Sequence, residues 1–349
     1  MRVLFVAPYP LGQPRGNTVT IDRIARGLRH AGMRVTLLEP NQRLPRGKFD
    51  LVHGFHAYHA GPRALALAQR LKLPCVITLT GTDLNRDLNA RDRRRVVRRV
   101  LERADALVVF IPESGRRLRG RVPRVAGRVH VIPQGVRRQF FVCGAGQAGR
   151  AELRRRWRRR FKLGEADFLF LFPGGIRAVK DPLLPLRAFP RLRRRFPRAR
   201  LLFVGPLLER AYGRRFRRRV SRLFGAAYRP ALAPSEMPGV YAAVDVVVNS
   251  SLSEALSNSL LEAMAVGVPV LARAVAGNRA LVAHNRTGLL FTRTRDFLRQ
   301  AERLLGNPAL GRRLAARARQ RVRRRYSLAA EPRAYLRLYR RLLGTKRRV

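Results

Sequence analysis

Residues 253–270 read Ser253-Glu254-Ala255-Leu256-Ser257-Asn258-Ser259-Leu260-Leu261-Glu262-Ala263-Met264-Ala265-Val266-Gly267-Val268-Pro269-Val270. The whole chain is 28% charged, so a run of this length should carry about five charges at average composition. Between Ala255 and Ala272, however, the only charged residue is Glu262. A lone carboxylate inside an apolar element is costly unless a polar group binds it. We therefore expect Glu262 to have a polar partner, supplied by a ligand.

This stretch also predicts a strand, a loop, a helix and a second strand. Val244–Asn249 is expected to form a buried strand, the helix to run from about Asn258 to Val266, and Val268–Leu271 to form the next strand. Gly267 fits the left-handed residue that ends a helix, and Pro269 follows where a helix cannot continue. In a parallel sheet such a loop and helix N-terminus lie at the carboxyl edge, where open α/β sheets bind ligands.

Short apolar strands alternate with helical segments along the whole chain. The first set of predicted strands is Val3–Ala7, Val35–Leu38, Leu51–His53, Cys75–Leu79, Ala106–Phe110 and Val129–Ile132. The second set is Phe168–Phe172, Leu201–Val204, Val244–Asn249 and Val268–Leu271. This rhythm is typical of doubly wound parallel sheets. Because it runs twice, the sequence predicts an α/β fold of two Rossmann-like domains.

An arginine-rich segment without strands, Arg137–Leu163, is interpreted as the domain junction. We therefore predict an N-terminal domain over residues 1–150, a C-terminal domain over 151–325 and a C-terminal helix over 326–349. That helix can dock on either domain on sequence grounds, and crossing back to the first is one option. After Ala272 the sequence predicts a short glycine-containing segment and then only helices.

The net charge of the chain is +54, and lysine occurs only at positions 48, 72, 162, 180 and 346, so nearly all of this charge is arginine. The arginines are spread over many helices with apolar residues between them, which indicates solvated faces of packed helices. A compositional bias explains this pattern and is the favoured interpretation. The alternative is an anionic partner, with an acidic membrane surface preferred to nucleic acid.

The expected compartment is the cytoplasm, with peripheral membrane contact as the alternative. Cys75 and Cys143 form no disulfide framework, which indicates a reducing environment. The segment Met1–Pro8 is typical of a first buried strand rather than of a secretory signal. No stretch reaches the roughly 18 to 20 apolar residues of a membrane span. No spacing of histidines or cysteines indicates a metal site.

A second candidate segment begins with the strand Phe168–Phe172 and continues into a glycine loop with two cations, Arg177 and Lys180. Glycines allow a close backbone approach, and arginine with lysine can clamp a diphosphate. Lys180 is the more informative of the two because lysine is rare in this chain. The alternative is an ordinary solvated turn.

These motifs together resemble the retaining glycosyltransferases of family 4, whose GT-B fold has two facing Rossmann-like domains. The resemblance covers nearly the whole chain and depends most on Glu254-x7-Glu262 followed by Ala-Met-Ala-x-Gly-x-Pro-Val. It is extended by Val131-Ile132-Pro133-Gln134-Gly135-Val136 and Asn285-Arg286-Thr287-Gly288-Leu289-Leu290. Within the family, a narrower likeness to one member includes Gly16-Asn17-x-Val19-Thr20 and Gly81-Thr82-Asp83-x-Asn85.

The resemblance implies roles for individual residues. Glu262 would bind the ribose of a donor nucleotide, Glu254 would lie beside the transferred sugar, and Arg177 and Lys180 would stabilise the departing diphosphate. The remaining donor-binding candidates are loop and helix-start residues whose backbone would meet the donor: Gly16, Asn17, Gly175, Ala255, Leu256, Ser257 and Asn258. The nucleotide sugar is a cosubstrate, and neither a cofactor nor a metal is implied.

Two departures from the family pattern concern the site. Arg177 comes two residues after Gly175, where many members have the arginine directly after a glycine. Thr80 stands where many members have a histidine. Either a nearby histidine such as His56 takes that place or the acceptor differs, and a structural role for His56 stays open. Asp83, on the same sheet edge, is a further catalytic candidate, with a helix cap as the alternative.

The implied reaction moves a sugar, of hexose type, from a nucleotide-diphosphate donor to an unidentified acceptor with retained configuration. The family favours UDP as the nucleotide. Three alternatives stay open: a selenosugar synthase, a nucleotide-sugar epimerase on the same fold, and a protein that kept the fold but binds nucleic acid or anionic membranes.

Overall fold

The computed structural model describes residues 1–12, 15–143 and 146–346. They form two compact units. The first contains Met1–Gly135 and the C-terminal segment from Tyr326, and the second contains Val136–Arg325. Among the described residues, no helix is both long and apolar enough to cross a bilayer.

The first unit is built on a six-stranded parallel sheet with the strand order β2-β1-β3-β4-β5-β6. Its strands are β1 (Arg2–Val6), β2 (Arg34–Leu38), β3 (Leu51–Phe55), β4 (Cys75–Thr78), β5 (Ala106–Val109) and β6 (Val129–Val131). Its first helices are α1 (Gly16–His30), α2 (Gly61–Leu71), α3 (Arg94–Arg103) and α4 (Pro112–Arg121), with a π-helical turn at Asp83–Asp87 and a 3-10 helix at Pro123–Arg128. The order reverses between β1 and β3, so the residues after these strands line the crevice where such sheets bind ligands.

The second unit has its own six-stranded parallel sheet, in the order β12-β11-β10-β7-β8-β9. Its strands are β7 (Phe168–Pro173), β8 (Ala199–Val204), β9 (Ala226–Arg229), β10 (Val246–Asn249), β11 (Val270–Arg273) and β12 (Leu289–Phe291). Its helices are α5 (Gly146–Arg160), α6 (Leu183–Arg195), α7 (Arg210–Ser221), α8 (Met237–Ala243), α9 (Asn258–Val266), α10 (Ala276–Leu281), α11 (Thr294–Gly306) and α12 (Pro308–Arg325), with 3-10 turns at Arg138–Phe140 and Ala178–Lys180. Here the order reverses between β7 and β10.

The predicted α/β fold with two Rossmann-like parallel sheets is confirmed, and all ten predicted strands are present. Two strands were missed, β9 and β12, and they are the two edges of the second sheet. β9 alternates half-buried with exposed residues and so lacks the apolar run of a strand buried on both faces. β12 is apolar but has only three residues, which is shorter than a typical strand run. The prediction of only helices after a short segment beyond Ala272 is therefore wrong.

The last helix, α13 (Ala330–Lys346), belongs to the first unit. Glu331 at its start forms a buried ion pair with Arg23 of α1, at 2.8 Å between Nε and Oε2, and accepts a bond from the Gly135 amide. Tyr339 lies 2.6 Å from His53 Nδ1, and the His53 Nε2 is 2.7 Å from Thr78 Oγ1. Burial lowers the pKa of His53 to about 3, so this ring is neutral. These contacts dock the end of the chain on the first sheet.

The change from the first unit to the second comes at Gly135, earlier than the predicted boundary after residue 150. The reason is that the segment before α5 already contacts α8, where Cys143 Sγ donates to the Pro238 carbonyl oxygen at 3.1 Å. α5 continues this packing. The Trp157 ring covers Gly239 so closely that an added Cβ would lie 2.0 Å from its Nε1, and Arg154 Nη2 binds Asp245 Oδ1 at 2.7 Å. The arginine-rich segment thus contains a packed helix of the second unit.

Candidate functional site

The Glu254 carboxylate lies at the carboxyl edge of the second sheet, in the loop between β10 and α9. Its Oε1 accepts hydrogen bonds from Lys180 Nζ at 2.5 Å, Ser251 Oγ at 2.7 Å and Asn249 Nδ2 at 3.1 Å. The Glu254 side chain is 9% exposed. Burial alone would raise the pKa of this carboxyl, but the Lys180 charge and the hydrogen bonds outweigh it and hold the pKa below its ordinary value. Glu254 is thus an ionised carboxylate paired with a cation.

Asn249, the last residue of β10, holds this arrangement together, and the sequence did not identify it as a site residue. Its Nδ2 donates to Glu254 and to Ser257 Oγ at 3.0 Å. Its Oδ1 accepts from the Ser251 amide at 3.1 Å and from Asn278 Nδ2 at 3.0 Å. The sequence did contain a signal for this role. Asn249 follows three valines at the end of a buried strand, and a polar side chain there needs hydrogen-bond partners.

The glycine turn after β7 is required first by packing. Gly205 has φ +156, and a Cβ there would lie 2.1 Å from the Gly174 carbonyl oxygen. At Gly175 a Cβ would lie 2.4 Å from Leu208 Cδ1. The loops at Gly174 and Gly205 can come this close only because there is no side chain at Gly205. The end of the Leu208 side chain can move, so packing requires glycine more strictly at Gly205, which meets backbone, than at Gly175.

The turn that carries the two cations is bonded to the β10–α9 loop. Ser250 Oγ donates to the carbonyl oxygens of Lys180, at 3.1 Å, and Asp181, at 2.7 Å. The Leu252 amide donates to the Val179 carbonyl oxygen at 2.8 Å. The structure therefore brings the predicted Lys180 and Glu254 into direct contact, although 74 positions separate them.

Arg177, the second predicted cation, differs from Lys180 in its partners. No ion pair joins its guanidinium to a described residue, and its Nε is buried without a hydrogen-bond partner. The Lys180 charge, by contrast, is shared with Glu254. Arg177 thus carries the positive charge in this turn that the described protein groups leave uncompensated.

The start of α9 is shaped by Ser257 and by α10. Ser257 Oγ accepts from the Leu260 amide at 3.4 Å and caps the helix. An added Cβ at Gly277 would lie 2.6 Å from the Glu254 carbonyl oxygen, so α10 holds the Glu254–Ala255 backbone closely. The predicted donor-binding residues Ala255, Leu256, Ser257 and Asn258 form this helix start, with Leu256 and Ser257 buried. A helix N-terminus of this kind favours a negatively charged ligand.

Glu262, in α9, has a polar partner inside the protein. Its Oε2 accepts a hydrogen bond from the Tyr241 hydroxyl at 2.9 Å. Tyr241 is fully buried, and burial followed by the Glu262 charge raises the pKa of its hydroxyl well above its ordinary value. Tyr241 therefore stays a hydrogen-bond donor, and the need for a polar partner no longer argues for a ligand by itself.

His56 follows β3 in the first unit and has φ +86. Its Nδ1 accepts bonds from the amides of Tyr58, at 3.2 Å, and His59, at 3.3 Å. With Nδ1 as an acceptor, Nε2 carries a proton and donates to Thr82 Oγ1 at 2.8 Å. The ligand atoms of His56, His59 and Asp87 lie within 4.8 Å of one another, but a protonated Nε2 has no lone pair for a metal ion. This tautomer argues against a metal site there.

Asp83 is fully buried and accepts four backbone hydrogen bonds. Its Oδ1 binds the amides of Gly81, at 2.8 Å, and Leu84, at 3.0 Å, and its Oδ2 binds those of Thr80, at 3.0 Å, and Ala57, at 3.1 Å. The carboxylate thus fixes the loop after β4 against the loop after β3. Within that loop the Thr80 hydroxyl is buried without a hydrogen-bond partner.

Gly16 and Asn17 are the first residues of α1. A Cβ added at Gly16 would meet no atom of the described residues within 4 Å, so packing among these residues does not require glycine there. The turn is closed by Thr18, whose Oγ1 donates to the Arg15 carbonyl oxygen at 2.9 Å and accepts from the Arg15 amide at 3.0 Å. Gly16 therefore leaves open space beside the helix start.

Comparison with known proteins shows what each part of this chain resembles. Residues 167–307 match the glycosyl transferases group 1 and residues 41–140 match glycosyltransferase family 4. The chain is 29% identical to glycosyltransferase 1 domain-containing protein 1 of Xenopus tropicalis over 351 residues, which cover 96% of each chain.

Solved structures show the same fold. HepE of Anabaena, determined in complex with UDP-glucose, has a TM-score of 0.80 at 17% identity and is matched over 100% of both chains. Sucrose-phosphate synthase of Thermosynechococcus elongatus has a TM-score of 0.81 at 21% identity over 99% of both chains. Two parts of the chain are therefore similar to glycosyltransferase group 1 and family 4 domains, and the chain has the GT-B fold of these solved structures.

Proposed function

We propose that this chain transfers a sugar from a UDP-sugar to an acceptor nucleophile, with retained configuration and without a metal ion. The observation that carries the proposal is the contact between Lys180 and Glu254 where the second sheet reverses its strand order. It places a cation and an ionised carboxylate beside a helix N-terminus. That HepE was determined with UDP and with UDP-glucose supports UDP as the nucleotide.

The donor diphosphate would bind to Arg177, to Lys180 and to the amides at the start of α9. Guanidinium and ammonium groups form charge-assisted bonds with phosphate, and helix-start amides add to them. Arg177 forms no ion pair with a described residue, so its guanidinium would bind the phosphate without first breaking one. The Lys180 ammonium would bind the phosphate and Glu254 at the same time. The position of the carboxylate would then depend on the position of the leaving group.

Glu262 would accept hydrogen bonds from the donor ribose. A carboxylate offers about four lone-pair positions, so the bond from Tyr241 leaves room for hydroxyl donors. Tyr241 would then fix the rotamer of Glu262 before the nucleotide binds, which lowers the entropy cost of binding.

In the proposed reaction the bond between the sugar C1 and the diphosphate oxygen breaks, and the diphosphate leaves with the electron pair. The acceptor oxygen forms its bond to C1 on the same face, and its proton passes to the departing phosphate oxygen. Arg177, Lys180 and the α9 N-terminus would stabilise the charge that develops on the diphosphate. Glu254 would lie beside the sugar.

The first unit is proposed to bind the acceptor. Asp83 and His56 would position the loops after β4 and β3, and the Thr80 hydroxyl, which lacks a protein partner, would bind an acceptor or sugar hydroxyl. Asp83 enters this proposal as a positioning residue because backbone amides occupy its carboxylate.

The test is a thermal-shift panel with UDP, GDP, ADP and their sugars, followed by product analysis. A ligand at about 100 times its Kd adds roughly 2.7 kcal/mol to the free energy of unfolding. We expect UDP and one UDP-sugar to give the largest shift, and a retained glycoside to form only with an acceptor. An epimerised sugar without acceptor, or product only with selenophosphate, would favour the epimerase or the selenosugar synthase. No shift with any nucleotide would contradict the donor site.

A further inference from the structure

A groove between α6 and α7 of the second unit is lined almost entirely by arginine around an apolar floor. It has a volume of about 450 Å³. The floor consists of Leu186, Pro190 and Leu223. The walls carry five arginines: Arg187, Arg215, Arg218, Arg219 and Arg222. We call this groove, together with the adjoining Phe224, the α6–α7 face.

The positive charge of the groove is largely uncompensated by protein groups. No acidic residue lines it. Arg187 has one weak partner, Asp181, at 3.8 Å, and no ion pair joins the four arginines of the α7 side to a described residue. Like charges on successive turns of a helix repel one another. A bound anion would relieve this repulsion.

Phe224 is the second observation, and compositional bias toward arginine does not explain it. It is 75% exposed, and the other exposed large apolar side chains among the described residues reach at most 56%. Arg193, in the last turn of α6, donates from Nη1 to the Phe224 carbonyl oxygen at 2.7 Å. The loop that presents the ring is therefore held at the end of the groove.

We propose that the α6–α7 face docks on a lipid bilayer that contains anionic phospholipids. The guanidinium groups would bind headgroup phosphates, for which their planar donor pairs are suited. Phe224 would enter the interfacial layer, where aromatic side chains are favoured. Amphipathic surfaces bind membranes by this combination of basic groups and exposed apolar groups.

A nucleic acid is the less suitable partner for this face. Single-stranded RNA would need an open aromatic ring face on which a base can stack. The Arg193 guanidinium carbon lies 4.4 Å and that of Arg200 5.6 Å from the centroid of the Phe224 ring. Both cations lie near the ring, and the α6–α7 face contains this one aromatic ring, whereas single-stranded nucleic-acid sites stack successive bases on aromatic side chains.

The first experiment compares two variants of equal charge in vesicle flotation. The face variant is Arg215→Gln, Arg218→Gln, Arg219→Gln and Arg222→Gln. The control is Arg313→Gln, Arg317→Gln, Arg323→Gln and Arg324→Gln, which are exposed residues of α12 in the same unit. Each variant has a net charge of +54 − 4 = +50. The nonspecific electrostatic attraction of the protein to anionic vesicles therefore falls equally in both variants.

With vesicles of phosphatidylcholine and phosphatidylglycerol at 7:3, we expect the face variant to lose at least tenfold in partitioning and the control less than twofold. Equal losses in both variants would show that the attraction is compositional and would overturn the proposal. Circular dichroism and the Tm verify that both variants are folded. The UDP-induced thermal shift is expected to remain in both, because the donor residues are elsewhere in the unit.

The second experiment places a fluorescent probe at the end of the groove. Trp157 is the only tryptophan of the chain and is 7% exposed, so the difference between Phe224→Trp and the unchanged protein reports residue 224. With the anionic vesicles we expect a blue shift and quenching by brominated lipids. An unshifted and unquenched probe on bound vesicles would overturn the proposal. So would RNA binding that the face variant loses while both variants bind vesicles equally.

Discussion

Each unit places a buried carboxylate at the carboxyl edge of its sheet, and the two carboxylates are bonded differently. Asp83 accepts four hydrogen bonds, all from backbone amides. The Glu254 carboxylate accepts hydrogen bonds from three side chains, one of them the cation Lys180. Backbone amides cannot leave without unfolding a loop, whereas side chains can change partner when a ligand arrives. Asp83 therefore holds two loops together, whereas the partners of Glu254 can rearrange around a ligand.

The largest expected effect is a loss of stability in Asp83→Ala. If this loss is not observed, the difference drawn between Asp83 and Glu254 is wrong. Asp83→Ala leaves four N–H groups without acceptors, three of them in buried bonds, and each buried group costs about 1–3 kcal/mol. We expect the free energy of unfolding to fall by at least about 3 kcal/mol in chemical denaturation. The control is Asp92→Ala, whose side chain is 74% exposed and should cost less than about 0.5 kcal/mol. If Asp83→Ala stays stable but loses turnover, Asp83 acts on substrate.

The second prediction concerns the cation on the other side of the comparison. Lys180→Ala is expected to lower kcat/KM at least roughly tenfold, a loss of about 1.4 kcal/mol in transition-state stabilisation, while the protein stays folded. Lys48→Ala removes a lysine that is exposed and should leave kcat/KM unchanged. Steady-state kinetics with the donor found in the thermal-shift panel provides the measurement. Unchanged kinetics in Lys180→Ala would remove this residue from the mechanism.

The sequence predicted the part of this site that local patterns determine. The helix Asn258–Val266 was predicted with the bounds that the structure shows. Its apolar sequence indicates the helix, and the left-handed Gly267 (φ +84) marks its C-terminal end. Lys180 and Glu254 were both chosen as site residues. Their direct contact was not predicted, because it depends on β7 and β10 being neighbours in the sheet.

What the sequence missed depends on long-range packing. Asn249 is one polar residue at a strand end, and its role comes from Glu254, Ser257 and Asn278 meeting around it. Tyr241 is 21 positions from Glu262, and no local pattern joins them. The same limit applies to Asp83, since only the fold brings the Ala57 amide to its carboxylate.

The third prediction sharpens the role of Glu262. Glu262→Ala is expected to weaken UDP binding by about 1.5–3 kcal/mol, the range for hydrogen bonds to a charged group. Tyr241→Phe removes the bond that fixes the carboxylate and should weaken UDP binding less. Glu152→Ala, on the exposed surface of α5, serves as the control. Isothermal titration calorimetry measures all three, and equal affinity of Glu262→Ala and the unchanged protein for UDP would sink the ribose assignment.

The smallest expected effect tests whether Lys180 sets the ionisation of Glu254. In the unchanged protein the pKa of Glu254 lies below its ordinary value, so this carboxylate contributes stability above the unfolded pKa, which is lost as the pH falls through the folded pKa. In Lys180→Met burial is no longer opposed by the ammonium charge, which shifts the pKa of Glu254 upward and makes the charged form destabilising. The gap in unfolding free energy between the two proteins should then be widest near pH 7 and narrow below about pH 5. Adding Glu254→Gln to Lys180→Met removes the titrating group and should abolish this narrowing. Urea unfolding from pH 7 to pH 4 measures it, and a constant gap would mean that Lys180 does not control the carboxylate.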